Sequence, residues 1–289
     1  MLKIQFLNGG LANQAFQYIF AKHYELSHPG QIMYLDDSYI TLNPVHNGYE
    51  LDKVFGIQPH MLSEAFDPDV WEYMLEQCRA GKSIPQILKD NGTDIDMLAE
   101  FNAYTRFVPF DGDVYMGKPN EYDPDVQNVE RNTYFYGYWI NKGWFDKYRT
   151  QFLAEFEFPI PPDEYNRKLL KRICTESSVG LHVRRGDFVQ LNVAYNAEQY
   201  RGMTDACINE WGTDAVVYVF SDDIPWCREN SSTMGLDRFR EVVFVEGNTD
   251  GRNYIDMQLM SSCDVIMVDK SSFAFLAALL SRRRKLLVN

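Results

Sequence analysis

From residue 178 onward the chain alternates short apolar runs with segments of helical length. SVGLHV (178–183), AVVYVFSDD (215–223), EVVFVEG, DVIMVD and KLLVN are separated by helical stretches at 197–210, 224–229, 253–262 and 272–281. Runs that are apolar at successive positions belong to strands covered on both faces. Such strands joined by helices form a parallel sheet. Four or five βα units in succession predict a doubly wound, nucleotide-binding layout.

The first half begins in the same grammar. Ile4–Leu7 reads as a strand, Gly9-Gly10 as a turn, and Asn13–Leu26 as a helix whose Phe16, Ile19, Phe20 and His23 share one face. QIMYLDDS (31–38) is the next strand. Residues 59–130 are broken by Asp, Pro and Gly, with helical spacing only at 68–80 and 83–90, and read as an elaboration of the first domain. The aromatic-dense stretch 133–148 leads into FEFPIPPDEYNRKLLKRI, where Pro159, Pro161 and Pro162 mark a linker. The expected division is 1–162 and 163–289, both α/β.

Charge narrows the partners. A formal net charge of −13 argues against a nucleic-acid groove or an anionic membrane surface. An anionic ligand must therefore be held by a local group of arginines against the overall field. The five cysteines are odd in number and lack any Cys-x-x-Cys spacing, which suits free thiols in a reducing cytoplasm better than a disulfide frame or a zinc site. Met1-Leu-Lys-Ile enters a strand directly, without a leader-like segment, and no apolar run approaches 20 residues. The expectation is a cytoplasmic protein without a transmembrane anchor, at most peripheral at the inner membrane.

Ligands of open parallel sheets sit beyond the carboxyl ends of the strands. Three polar clusters fall there: His182–Asp187, Ser221-Asp222-Asp223, and Asp269-Lys270-Ser271-Ser272. Each has an ordinary role available, as surface ion pairs or as helix caps. Together they offer a guanidinium pair, a carboxylate acceptor and a helix N-terminus with two hydroxyls, which suits a nucleoside diphosphate. The Gly9-Gly10 loop lacks the third glycine of a dinucleotide fingerprint, so NAD is weakly supported. Asn13 reads either as a helix cap or as a polar contact to a substrate.

HVRRGDF, VFSDDIPWC and DMQLMSSCDVIMVDKSSFAFLAALL resemble, in order, the three motifs of bacterial α-1,2-fucosyltransferases of glycosyltransferase family 11. FLNGGLANQAFQYIFAK resembles the opening motif of that family, and GYELDKVFGI and FYGYWINKGWF match it more loosely. His-x-Arg-Arg-x-Asp alone is shared with α-1,6- and protein O-fucosyltransferases. The chain departs from the family at Ala12, Ile140-Asn141, Lys270 and Phe275-Leu276. The resemblance also implies a short C-terminal tail beyond Asn289.

The resemblance implies a GT-B architecture, two Rossmann-like domains facing across a cleft, with the acceptor on the first and GDP-fucose on the second. It implies inverting transfer of L-fucose from GDP-β-L-fucose to the 2-hydroxyl of a galactose-terminated oligosaccharide. Other regiochemistry (α-1,6 or α-1,3), or a non-catalytic nucleotide- or glycan-binding protein, are the alternatives. Arg184 is expected to clamp the β-phosphate, where charge develops. With Asp222 and Asp223 adjacent and not spaced as Asp-x-Asp, and with the arginines at hand to supply the cation, the reaction is expected to need neither metal nor cofactor. His182 with Asp222 or Asp223 would read guanine, and Ser271, Ser272, Phe273 and Arg185 would complete the donor site. Asp187 is either a general base or a brace for Arg184. Asn13, Gln14, Tyr138 and Trp139 are the expected acceptor contacts, Asn13 also near the chemistry. Trp139 and its aromatic neighbours have a core role as the alternative.

Overall fold

Each continuous apolar run becomes a strand of one of two parallel sheets. The computed structural model describes residues 1–43, 47–100, 109–118, 121–282 and 286–288, and the chain divides into two units, Met1–Glu157 and Phe158–Asn289.

The first unit runs β1 (Lys3–Phe6), α1 (Leu11–Ser27), β2 (Tyr34–Asp36), α2 (Ser38–Leu42), α3 (Leu51–Phe55), α4 (Pro68–Arg79) and α5 (Ile84–Asp90). It continues through β3 (Asp96–Glu100), β4 (Val114–Gly117), β5 (Thr133–Tyr136), α6 (Lys142–Asp146) and α7 (Arg149–Glu155). All pairs are parallel, in the order β2-β1-β5-β3-β4. Helix α1 begins two residues before the expected start, with Gly10 as its cap residue, so Asn13 lies inside the first turn and does not cap it. Its predicted face is buried as a set: Phe16, Ile19, Phe20 and His23. Phe20 meets Phe135 edge-on at 5.2 Å. On the opposite face, Ile4, Met97 and Tyr134 pack against Met74, Ile87 and Leu88 of α4 and α5. Burying a side chain such as Phe20 or Ile87 stabilises by about 1.5–3 kcal/mol.

Two strands, β3 and β4, fall inside the stretch read as irregular. DMLAE and VYMG carry no strong strand pattern of their own. β3 is held by β5, with Met97 opposite Tyr134, and β4 by β3, with Val114 opposite Met97.

The second unit runs α8 (Glu164–Thr175), β6 (Ser178–Val183), α9 (Gly186–Gln190), α10 (Ala197–Trp211), β7 (Val216–Ser221) and α11 (Ile224–Glu229). It continues through β8 (Glu241–Phe244), α12 (Asn253–Ser262), β9 (Val265–Met267), α13 (Ser272–Leu280) and β10 (Leu286–Val288). Its parallel sheet has the order β10-β9-β6-β7-β8. The chain thus builds outward from β6 in one direction and then crosses to β9 on the other side, the doubly wound pattern. Val179, Leu181, Val217, Val219, Val265 and Met267 form the core face with Tyr200, Met203 and Cys207 of α10.

Part of the expected linker is helical. Pro161 and Pro162 stop short of α8, where Asp163 Oδ1 accepts from Asn166 N at 2.8 Å as the cap. Leu169 and Ile173 bury its inner face. Among the described residues no helix is long and apolar enough to cross a membrane.

Candidate active site

The second sheet reverses its winding between β6 and β9, and the polar clusters gather at the carboxyl ends of those strands. Asp269, two residues past β9, joins them. Its Oδ1 lies 3.1 Å from His182 Nδ1 and accepts from Ser271 N at 3.0 Å. Its Oδ2 accepts from Arg184 N at 2.8 Å and from Tyr200 Oη at 3.1 Å. Burial alone would raise the Asp269 carboxyl. The His182 ring and the backbone N–H groups of Arg184 and Ser271 outweigh it and hold the carboxyl below its ordinary range. The same burial, with Asp269 beside it, pushes the Tyr200 phenol up.

Arg184 leaves the end of β6 between two carboxylates. Nη2 is 2.7 Å from Asp187 Oδ1 and Nη1 is 2.8 Å from Asp222 Oδ2. Asp222 Oδ1 accepts from Arg185 N at 2.8 Å. A Cβ at position 186 would lie 2.6 Å from Asp222 Oδ2, so only glycine lets this loop close on that carboxylate. Arg185 diverges from its neighbour. Its guanidinium sits 4.0 Å from the Trp226 ring centroid, and its Nε is 3.9 Å from Asp223. Adjacent residues leaving a strand point to opposite sides, and here only Arg184 is braced by two carboxylates.

The other expected donor residues sit at helix starts. Ser271 Oγ accepts from Phe273 N at 3.2 Å and caps α13, whose first residue is Ser272. The Phe273 ring lies 5.6 Å from that of His182. Asp223 Oδ1 accepts from Trp226 N at 3.2 Å and caps α11. Ser221 Oγ donates to Val183 O at 2.7 Å, tying the ends of β7 and β6 together.

These contacts engage both of the carboxylates expected at the guanine edge. Asp222 is occupied on both oxygens by Arg184 and Arg185, and Asp223 by its own helix. A further carboxylate, not singled out from the sequence, stands in the same unit. Asp256, in the first turn of α12, accepts from Asn248 Nδ2 at 2.7 Å on Oδ1, and Asn248 is held in turn by Asn166 at 2.8 Å. Burial pushes the Asp256 carboxyl up to about 6, against the Asn248 hydrogen bond and the charge of His182. Its side chain is only partly covered from solvent. Its one sequence signal is that it opens the third motif, DMQLMSS.

In the first unit, two of the expected acceptor contacts are structural. Gln14 is fully buried. Its Nε2 donates to Gly9 O and Gly48 O, both at 2.8 Å, and its Oε1 accepts from Glu50 N at 2.9 Å. The amide is saturated and stitches the β1 loop to residues 48–50. Trp139 is also buried, stacked on Phe20 at 4.3 Å with Nε1 donating to Gln5 Oε1 at 2.7 Å. Its indole fills the core and presents no face to a sugar. Asn13 and Tyr138 are half-buried, and Tyr138 Oη accepts from Asn8 Nδ2 at 3.4 Å.

Two parallel α/β units, the second with this switch-point site, make up a fold of the GT-B type. The fold is similar to the crystal structure of the fucosyltransferase NodZ from Bradyrhizobium, with a TM-score of 0.52 at 14% identity over 97% of this chain and 94% of that one. The family model for glycosyl transferase family 11 matches residues 114–288, and the chain belongs to that family. It is 28% identical over 278 residues to an alpha-1,2-colitosyltransferase of Escherichia coli, covering 94% of this chain and 85% of the relative. It is 27% identical to galactoside alpha-(1,2)-fucosyltransferase 2 of Mus musculus over 51% of this chain and 44% of that protein.

Proposed function

We propose that this chain is an inverting transferase that moves L-fucose from GDP-β-L-fucose to the 2-hydroxyl of a terminal galactoside, without a metal. The observation that carries the reading is Arg184. A fork of N–H donors, fixed by Asp187 and Asp222, stands at the end of β6 beside the capped N-terminus of α13. Fucosyl transfer passes through an oxocarbenium-like state in which negative charge grows on the departing GDP. A preorganised guanidinium stabilises that charge more than it stabilises the ground state. Ser271, Ser272 and the α13 N-terminus hold the pyrophosphate. Asp256 and His182 read guanine, whose N1–H and N2–H₂ edge offers the paired donors that a half-covered carboxylate lacks. Asp187 serves as the brace of Arg184. A dissociative transition state asks little of a general base, because bond breaking runs ahead of attack by the acceptor hydroxyl.

A second donor is favoured by one observation. A relative matched over most of both chains is named as a colitosyltransferase, and colitose is fucose without its 3-hydroxyl. The two readings share every step at the phosphate and separate at one hydroxyl of the donor. The test is to give GDP-fucose and GDP-colitose in parallel with lactose, reading GDP release and then product linkage by NMR. An α-1,2-fucosylated product is expected. A 1,6 linkage, or GDP release from neither donor, overturns the reading.

A further inference from the structure

The first unit carries a cavity that the donor chemistry does not use. It has a volume of about 480 Å³ and lies at the carboxyl ends of β1, β2 and β5. The first sheet winds from β1 to β2 on one side, and its later strands lie on the other side of β1, so this is its own switch-point crevice. That size falls within the usual range for small-ligand sites, about 300–1,000 Å³.

Its wall is aromatic. Phe6 is flanked by Tyr39 at 5.7 Å and by Tyr136 at 5.0 Å, and Tyr138 completes the lining. Tyr39 is 38% exposed, so its ring is open to a ligand. The charged groups of the lining are already matched. Asp36 accepts from Tyr134 Oη at 2.6 Å and from Ser38 N at 3.0 Å, and Lys82 is paired with Asp90 at 2.7 Å. Among the described residues, what remains for a ligand is neutral: ring faces, the Tyr138 hydroxyl, and the amides of Asn8 and Asn43.

The turn that presents Tyr138 is held from three sides. Glu100 Oε2 accepts from Tyr138 N at 3.0 Å and from Trp139 N at 2.7 Å. Gln5 Nε2 donates to Gly137 O at 2.9 Å. Gln17 Nε2 donates to Asn8 Oδ1 at 2.7 Å, which sets the amide that meets Tyr138. A Cβ at position 137 would lie 2.6 Å from Glu100 Cβ, and Trp139 adopts a left-handed φ of 56°. Three buried polar side chains and a strained tryptophan fix this one turn. Backbone strain of this kind persists where the surroundings over-determine it, commonly beside a ligand.

We propose that this cavity is a glycan subsite that takes a neutral hexose of the acceptor, its apolar ring face on the Tyr39–Phe6–Tyr136 wall and its hydroxyls on Tyr138 and Asn8. The assignment rests on the transferase reading above for the word acceptor, and on the cavity alone for the sugar. An amphipathic ring with C–H groups on one face and hydroxyls around its edge matches a wall of tyrosines with neutral amide donors. An acidic sugar would meet no unpaired cation there among the described residues.

The test is saturation-transfer NMR of the full chain with lactose, alongside calorimetry with GDP. Wild type should saturate lactose ring protons, and Tyr39→Ala should weaken lactose binding roughly fivefold through loss of one stacking contact. Tyr138→Phe, which removes only a hydroxyl, should weaken it by roughly the same factor. GDP affinity should stay unchanged in both variants, which also shows that they are folded. Digalacturonate should give no signal. Absence of lactose saturation in wild type, or full saturation in both variants, overturns the subsite. Digalacturonate binding as strongly as lactose overturns its neutrality. If GDP fails to bind, the transferase reading falls instead, while the lactose result still decides this one.

Discussion

Replacing Arg184 by lysine keeps the charge and removes the fork. The guanidinium has five N–H donors; contacts to Asp187 at 2.7 Å and Asp222 at 2.8 Å engage two, leaving three for phosphate oxygens. A lysine ammonium has three donors on a shorter point of attachment. If it holds both carboxylates, one remains. The variant therefore loses about two charge-assisted hydrogen bonds, each contributing about 1.5–3 kcal/mol. With partial compensation by solvent, about 3 kcal/mol is lost, or roughly a hundredfold or more in rate. The loss falls on kcat, because the bonds strengthen as charge moves onto the departing diphosphate. Were Arg184 only a surface ion pair, the change would matter by less than about 1 kcal/mol. The assay is steady-state GDP release with saturating donor and lactose, with thermal melting to show that the variant is folded. A folded Arg184→Lys protein with kcat within about threefold of wild type would refute the phosphate-clamp reasoning.

Asp256→Asn should weaken GDP-sugar binding at least about tenfold and bring UDP-sugar within a few-fold of it, by calorimetry, because a carboxylate matched to two donors becomes an amide matched to one. With the Asp256 carboxyl raised by burial to about 6, the free protein is protonated there below that pH, so donor affinity should fall as pH drops through 6, and the Asn variant should lose that slope. Asp269 is shifted the other way, so it stabilises the fold above its unfolded value and loses that contribution as pH falls through its folded one. Asp269→Ala leaves the His182 ring, the Arg184 and Ser271 N–H groups and the Tyr200 hydroxyl without their acceptor and should cost about 3 kcal/mol or more, read as a lowered denaturation midpoint. Turnover should survive EDTA, with Arg184 supplying the cation; activity abolished by EDTA and restored by Mn²⁺ would reassign that role.

The second unit was legible almost element by element, because a strand buried on both faces must be apolar at successive positions and its neighbours must be helices. Ser178–Val183 and Ile224–Glu229 fall where the residues alone put them, and Asp223 and Ser271 cap helices as their side-chain chemistry requires. The placing of polar clusters at strand ends followed from the same alternation. Local pattern fails where an element owes its form to a distant partner: β3 is a strand because β5 lies beside it, β4 because β3 does, and α8 hides behind prolines that sit before its cap. Pattern is also silent on which of several like residues faces a ligand. Tyr138 lines a cavity while Trp139, one residue on, turns into the core through a left-handed backbone that tertiary hydrogen bonds impose. Four carboxylates were available near the arginines, and only the fold shows that Asp222 and Asp223 are already occupied. Asp269 and Asp256 come to His182 from 87 and 74 residues away along the chain. The sequence by itself determined which residue types stand at the ends of which strands. Which of them keeps an open valence for a ligand was decided by long-range hydrogen bonds, which no local periodicity encodes.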